Sequence, residues 1–407
     1  MEVLDEFWRI AVSKFGQDTS LVLVSIIGAI AYAFARYILK ILKQLACYLS
    51  SRRRALRAVG RIEHRDGPRE GAGVWVARPI EQPNDYKSKL TTAKVLAIAN
   101  LKGGVGKTTL AANIGAFLAS DPSWRKRVLL IDLDYQGSLS SMALPDDDRW
   151  LPPHGQDSIA TRAISGDLES SVFVSCAKPT KQEPRLQVIT AHYDLAQADN
   201  RLLVEWLLRC RQKSARSMRH RIADLFYGQV FRMHDVRYNL AELLHSESVR
   251  DAFDLVIIDC PPRLTTGTIQ ALCASSHLLV PTILDRPSAE AVVAFCEQVE
   301  GLKKAQICPH LSSMGVVATR YRSGYVVARQ AMQKIRDELR DRALDTILLD
   351  ESTYVPQTVA LVREADEGIA YFVMGNSQQE VQARDAVAKL SRYVASQMGI
   401  PTALGFH

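Results

Sequence analysis

The sequence has seven cysteines in 407 residues but no pair at the C-x-x-C spacing. Such scattered positions are not typical of a zinc or disulfide framework. We therefore expect the cysteines to behave as small buried hydrophobic side chains in a reducing compartment. Internal repeats and low-complexity segments are also missing, which argues against a repeat architecture. A composition of 47% hydrophobic and 23% charged residues is typical of a globular protein with one large domain and an appendage. The cysteines are Cys47, Cys176, Cys210, Cys260, Cys273, Cys296 and Cys308.

Charged side chains are absent from residues 19–35. Seventeen uncharged residues lie near the lower limit for a bilayer-spanning helix, which needs about 17–25. Residues 1–18 carry four acids and two bases, whereas residues 40–61 carry seven bases and no acid. By the positive-inside rule, these flanks predict a short extracytoplasmic N-terminus at 1–18, a single transmembrane helix at 19–42 and a cytoplasmic remainder. The inner cell membrane is the expected location.

Three alternatives compete with a spanning helix. An amphipathic helix lying in the membrane surface would place Arg36, Lys40 and Lys43 at the headgroups. A buried core helix would leave the basic block after it without a purpose, and the acidic start lacks the basic region of a signal peptide. Spanning or surface-lying, the segment predicts membrane lipids as partners. Residues 43–92 are predicted to be a basic juxtamembrane segment and linker, with a short strand at 73–77.

Residues 102–109 read Lys-Gly-Gly-Val-Gly-Lys-Thr-Thr and follow an apolar run that ends at Ala99. Strand, glycine-rich loop and helix is the context of a phosphate-binding loop, because glycines let backbone N–H groups face an anion at a helix N-terminus. Lys107 then reaches the β- and γ-phosphates, and the Thr108 hydroxyl ligates Mg²⁺. ATP and Mg²⁺ are therefore the expected cofactors. The predicted cradle consists of Gly103, Gly104, Val105, Gly106, Lys107, Thr108 and Thr109.

Two further apolar runs each end in acidic residues, at Asp132 with Asp134 and at Asp259. Continuous apolar runs of this length are typical of parallel strands buried on both faces. Their carboxylates are then expected at the carboxyl edge of the sheet, where open α/β folds bind ligands. The run before Asp259, followed by two prolines, reads as a Walker B strand whose aspartate holds Mg²⁺ through water. The predicted fold class is α/β, a mostly parallel twisted sheet with helices on both faces.

The glycine loop departs from the usual pattern, since Leu101 replaces its first glycine and Lys102 precedes the paired glycines. This form resembles the deviant Walker A loop of the ParA/MinD family of P-loop ATPases, and the likeness extends over about residues 94–395. The resemblance implies that Lys102 contacts the nucleotide of a partner subunit, that Asp134 positions the attacking water, and that Asp132 supports the metal or the switch region. It also implies that Thr319 lies near the adenine. The ATPase domain is thus expected at residues 93–400.

One basic segment is not explained by such a core. Residues 201–240 contain nine bases and three acids, and residues 205–245 look like an insertion. Contact with the phosphate backbone of DNA is one interpretation. A solvated helix face, or a surface for an acidic partner or the membrane, is the other. A second basic stretch, residues 329–342, also contains acids and is expected to be a salt-bridged exposed helix face.

These patterns predict a membrane-anchored ATPase of the ParA type that positions or partitions a cargo, either DNA or a membrane complex. ATP would join two copies into a homodimer, and hydrolysis, weak alone and stimulated by an activator protein, would release them. One alternative is a membrane-associated bacterial tyrosine kinase. Such a kinase would need a tyrosine-rich C-terminal tail to phosphorylate, although residues 396–407 contain no tyrosine. Another is a nucleotide-gated scaffold or sensor with little hydrolysis.

Overall fold

The computed structural model describes most of the chain from residue 93 onward and a few residues before it. The described residues are 9, 12–13, 34, 36–39, 42, 75, 93–144, 151–153, 155–209, 235–322, 324–358, 361 and 368–402, without the side chains of 207–209. The chain divides into two compact units, Met1–Arg65 and Asp66–His407.

Seven strands and twelve α-helices are described in the second unit. The strands are β1 (Val95–Ile98), β2 (Val128–Asp132), β3 (Lys178–Pro179), β4 (Leu186–Ile189), β5 (Leu255–Asp259), β6 (His277–Ile283) and β7 (Ser312–Thr319). The helices are α1 (Lys107–Ser120), α2 (Ser138–Ala143), α3 (Ile159–Ser165), α4 (Ser170–Ser175), α5 (Asp194–Arg209), α6 (Asn239–Leu244), α7 (Glu247–Ala252), α8 (Thr266–Ala274), α9 (Arg286–Lys304), α10 (Val326–Asp341), α11 (Ala370–Val373) and α12 (Gln378–Gln397).

The strands form one sheet in the order β3-β4-β2-β5-β1-β6-β7. All neighbours are parallel except the short edge pair β3 and β4. The prediction of a mostly parallel α/β sheet is therefore confirmed. In the register of β2 with β5, Asp132 lies opposite Asp259, so the acids that end these two strands share one edge of the sheet.

Each central strand is buried on both faces, which is why its sequence is apolar without alternation. Val95 and Ala97 of β1 pack into the layer that contains α3 to α10, whereas Leu96 and Ile98 pack into the layer of α1, α2, α11 and α12. Helices thus cover both faces, as predicted. Four of the five described cysteines are buried and all five are free thiols, as the scattered spacing indicated.

The N-terminal unit is described only in part. Phe34, Arg36 to Leu39 and Leu42 are helical and exposed. Among the described residues, no helix has the length and apolar character needed to cross a bilayer. Most of the predicted transmembrane segment 19–42 lies outside the described residues. In the predicted linker only Trp75 is described, and it has 3-10 helical backbone rather than the predicted strand.

The two basic stretches have different outcomes. Of the predicted insertion 205–245, residues 210–234 lie outside the described part, while the end of the stretch is the 3-10 helix Val236–Tyr238 followed by α6. Arg237 is one of the nine bases counted in residues 201–240, but its side chain is fully buried and paired with Asp235. This cation is therefore unavailable to DNA. The second stretch is α10, whose exposed ion pairs confirm the predicted salt-bridged face.

Candidate functional site

The glycine-rich loop joins the carboxyl end of β1 to the first residue of α1. Gly104 and Gly106 have φ of 71° and 83°, a left-handed conformation that costs side-chain-bearing residues about 1–2 kcal/mol. Gly106 is the N-cap of α1 and has no side-chain capping bond, so the first N–H groups of the helix stay available to an anion. The neighbouring Val105 side chain is completely buried and holds the loop against the core.

Lys107 is a buried cation at the start of α1, only 6% exposed. Its Nζ donates a hydrogen bond to the carbonyl oxygen of Lys102, 3.0 Å away, within the same loop. Burial lowers the pKa of Lys107, and the Asp259 carboxylate opposes that effect. The ammonium group thus lies inside the cradle and beside the acid that ends β5, where a bound phosphate would be.

Asp259 is the acid best suited to a metal ion. Among the described residues, neither of its buried carboxylate oxygens has a partner at hydrogen-bond geometry. Burial, with the nearby Asp132 second, raises the pKa of Asp259 well above its ordinary value, while the Thr108 hydroxyl is near enough to lower it. A buried carboxylate without partners is costly. Mg²⁺, a hard cation that prefers oxygen ligands, suits the Asp259 carboxylate and the neighbouring Thr108 hydroxyl.

Asp132 has a different environment, although its strand position matches that of Asp259. Its carboxylate accepts hydrogen bonds from the backbone N–H of Asp134 and from the N–H and hydroxyl of Ser140. Burial raises the pKa of Asp132 to about 6, against the effect of the Ser140 hydrogen bonds. These contacts give Asp132 a role in holding the loop between β2 and α2, and its predicted support of the metal or the switch region stays a prediction.

Asp134 lies in that loop, half-buried, and accepts a hydrogen bond from the N–H of Gln136 at 3.1 Å. Gly137 follows with a φ of 66° and is the N-cap of α2. The predicted role of Asp134 in positioning the attacking water stays a prediction.

Lys102 is held by residues that the motif did not reveal. Its Nζ lies 3.2 Å from the Asp285 carboxylate and contacts the Ser288 hydroxyl, both at the start of α9. Its backbone N–H donates to Asn100, whose side-chain amide in turn donates to the carbonyl of Pro281 at 2.7 Å. Asp285 is 183 residues away in the chain, so only the parallel pairing of β1 with β6 brings the two together. The Asp-x-x-Ser pattern of a helix N-cap was the available signal.

Thr319 ends β7 beneath the glycine loop and is 3% exposed. Its hydroxyl has contacts at 2.8 Å with the Val105 carbonyl and at 3.1 Å with the Thr282 carbonyl. The side chain therefore braces the loop from the protein side. The predicted position beside the adenine stays a prediction.

The fold and the loop together define a P-loop nucleotide-binding protein. Residues 96–367 match the family described as the CobQ/CobB/MinD/ParA nucleotide binding domain. This match covers more than half of the chain, and the chain belongs to that family. The ParA/MinD resemblance seen in the motifs is thereby confirmed.

Three relatives illustrate the match. The chromosome partitioning protein ParA of Myxococcus xanthus is 26% identical over 312 residues, covering 75% of this chain and 93% of that protein. Cobyrinic acid a,c-diamide synthase of Mycobacterium smegmatis, solved with an ATP analog and magnesium, aligns at a TM-score of 0.52 and 27% identity, covering 77% of this chain and 100% of that chain. Apo McdA of Cyanothece aligns at a TM-score of 0.55 and 19% identity, covering 74% of this chain and 99% of that chain, a likeness of fold.

Proposed function

We propose that this chain is a membrane-tethered ATPase of the ParA type, in which ATP-dependent dimerisation is a switch for positioning or partitioning a cargo. ATP and Mg²⁺ are its cofactors. The observation that carries the proposal is the buried carboxylate of Asp259, which lies beside Lys107 and Thr108 of the glycine loop and, among the described residues, has no partner at full hydrogen-bond geometry. A buried acid at the carboxyl edge of a parallel sheet, beside a phosphate cradle, is the arrangement that nucleotide hydrolysis needs.

Charge in phosphoryl transfer accumulates on the γ-phosphate oxygens, so cations and N–H donors must surround them. The N–H groups of residues 103–109 and the Lys107 ammonium supply them from one side. Thr108 and Asp259 would hold Mg²⁺, which would neutralise the negative charge that develops on the phosphate oxygens. Asp134 orients the attacking water from the loop that Asp132 ties down.

Lys102 makes the site a switch. It lies at the rim of the cradle, 30% exposed, and its ammonium is directed at Asp285 rather than at Lys107 or Asp259. In a face-to-face homodimer it leaves Asp285 and contacts the phosphates of the partner subunit. Two nucleotide-bound subunits then complete one another, and hydrolysis separates them. Turnover is weak in the isolated protein, and an activator protein stimulates it.

Membrane attachment and the cargo are the finer parts of the proposal. The uncharged segment 19–35 and the bases of residues 40–61 support anchoring in the inner membrane with the ATPase domain in the cytoplasm. Bases within 201–240 support contact with DNA, with anionic lipids as the competing partner. Arg201 of this group is exposed and contacts the Ser165 hydroxyl.

The test compares Lys102→Ala with Lys334→Ala, a control whose lysine pairs with Glu290 on the surface of α9 and α10. We expect Lys102→Ala to retain nucleotide while ATP-dependent dimerisation and hydrolysis are lost, and the control to behave like the parent protein. Binding is measured by calorimetry, dimerisation by sedimentation and hydrolysis by phosphate release, with and without DNA and anionic liposomes. Full ATPase activity in Lys102→Ala would refute the dimer switch. Extraction by alkaline carbonate would refute a spanning anchor.

A further inference from the structure

The N-terminal linker contacts the ATPase domain at Trp75. Its side chain is 4% exposed, and its ring lies against Trp206 near the end of α5, with ring centroids 5.2 Å apart and planes inclined by 38°. Trp206 is itself 2% exposed. A residue placed in sequence among glycines, prolines and charges is therefore part of the hydrophobic core of the domain.

A buried cation fixes the backbone of Trp75 as well. The guanidinium of Arg237 is fully buried, forms a forked pair with Asp235 and donates a hydrogen bond at 2.8 Å to the carbonyl oxygen of Trp75. Its central carbon also lies 5.2 Å from the centre of the Trp206 ring. Buried cations are retained where all their donors are used, so this carbonyl is an integral part of the cluster.

The face of α5 that carries Trp206 also contacts the first turn of α8. Asp199 precedes Trp206 by seven residues, which is two helical turns and hence the same face. Its carboxylate accepts the N–H of Gly267 at 2.8 Å, and its carbonyl accepts the Thr266 hydroxyl at 3.0 Å. The first turn of α8 contains no acid of its own, so Asp199 supplies the negative charge that a helix N-terminus favours.

Helix α8 begins directly after the loop that follows Asp259. Residues 260–265 connect the two, and within them the Arg263 carbonyl accepts the Thr268 hydroxyl at 2.6 Å. The position of this loop therefore depends on the first turn of α8. A second link runs through α6, which directly follows the 3-10 helix of Arg237, because the N–H of Leu240 in α6 donates to Gln270 of α8 at 3.2 Å.

We propose that Trp75 and Asp199 are positioning residues for the loop after Asp259, acting along α5, so that the docked side chain of Trp75 keeps this loop in its hydrolytic position. The contacts described above for Trp75 and Asp199 are with Trp206, Arg237, Thr266 and Gly267, which lie outside the glycine loop. Undocking Trp75 should therefore slow the chemical step and leave nucleotide affinity unchanged. This reading rests on the proposed ATPase function for its kinetic part, whereas the contact path itself is testable without nucleotide.

The first experiment measures amide hydrogen exchange in the full-length protein without nucleotide. In Trp75→Ala we expect faster exchange at Gly267 and at the amides of Cys260 and residues 263–266, the two intervening prolines having no N–H. Trp75→Phe, which keeps an aromatic ring, should restore slow exchange. Trp124→Ala is the matched control, because Trp124 packs against the opposite layer of the domain. Unchanged exchange at Gly267 in a folded Trp75→Ala protein would overturn the proposal even if the protein is an ATPase.

The second experiment measures steady-state hydrolysis. Trp75→Ala and Asp199→Asn should each lower kcat by about threefold to tenfold with KM changed less than about twofold, the signature of a misplaced rather than a missing group. Trp124→Ala should match the parent protein. A change in KM as large as the change in kcat, or an unchanged kcat, would contradict the positioning role. If the parent protein hydrolyses no ATP, the proposed function fails, and the exchange experiment still decides whether α5 links Trp75 to the loop.

Discussion

Replacing Asp285 by asparagine should strengthen ATP-dependent dimerisation. In the structure the Asp285 carboxylate holds the Lys102 ammonium at 3.2 Å, and the proposed dimer requires this lysine to leave. Asparagine keeps the other task of the residue, since Asp285 is the N-cap of α9 and accepts the Ser288 N–H at 2.7 Å, and asparagine caps helices equally well. The substitution therefore removes the ion pair and keeps the helix start.

The magnitude follows from the exposure of the pair. The two side chains are 30% and 40% exposed, so solvent screens them and the pair is worth about 0.2–1 kcal/mol. A symmetric dimer breaks two such pairs. The gain of about 0.4–2 kcal/mol corresponds to a dimer dissociation constant lowered by about twofold to thirtyfold.

Sedimentation velocity with a non-hydrolysable ATP analogue and Mg²⁺ measures this constant over a range of protein concentrations. Asp345→Asn is the control, because Asp345 forms a comparable surface pair with Lys303 at 2.8 Å, away from the cradle. Lys102→Ala combined with Asp285→Asn should fail to dimerise like Lys102→Ala alone, since the gain depends on the released Lys102 side chain. A dissociation constant that is unchanged or higher in Asp285→Asn, with an unaltered melting temperature, would refute the reasoning.

Three further predictions concern the metal site, a strained turn and the buried cation. Asp259→Asn should lower Mg²⁺-dependent phosphate release by about tenfold or more, because the charge facing the metal is lost; wild-type rates would exclude Asp259 as a ligand. Gly315→Ala should lower the free energy of unfolding in urea by about 1–3 kcal/mol, because its φ is 121° and a Cβ would lie 2.9 Å from the carbonyl oxygen of Ile347, whereas Gly324→Ala, with open space around it, should cost less. Arg237→Gln should lower the same free energy by about 3–5 kcal/mol by leaving Asp235 buried without its partner, and an Arg237→Met, Asp235→Leu double variant should recover most of that loss.

Much of the fold can be predicted from the sequence, because the central strands are recognisable from their own residues alone. Leu255–Asp259 is apolar at each position before its acid, which only a strand covered on both faces requires. The glycine loop is equally explicit, since Gly104 and Gly106 adopt backbone angles that other residues avoid. These signals lie within a few residues of one another and need no knowledge of the rest of the chain.

The contacts that sequence reasoning missed join distant residues. Asp285 meets Lys102 only after β6 pairs with β1, and Asp199 meets Gly267 only after α5 packs on α8. Arg237 was read as one base among many, because a charge count does not distinguish a buried cation from an exposed one. Its neighbour Asp235, two residues earlier, was the local sign of pairing. Nothing in the sequence around Trp75 indicated its burial, since its partners Trp206 and Arg237 lie more than a hundred residues away.

The central place of β1 has a mechanical consequence. This strand is the first of the domain, and β5 and β6 bond it on both sides. A pulling force on the N-terminal segment would act first on Trp75 and then along β1. The hydrogen bonds of β1 to both β5 and β6 would have to break together before the strand could move. Since β1 runs directly into the glycine loop, a pull that dislodges it distorts the phosphate cradle in the same event.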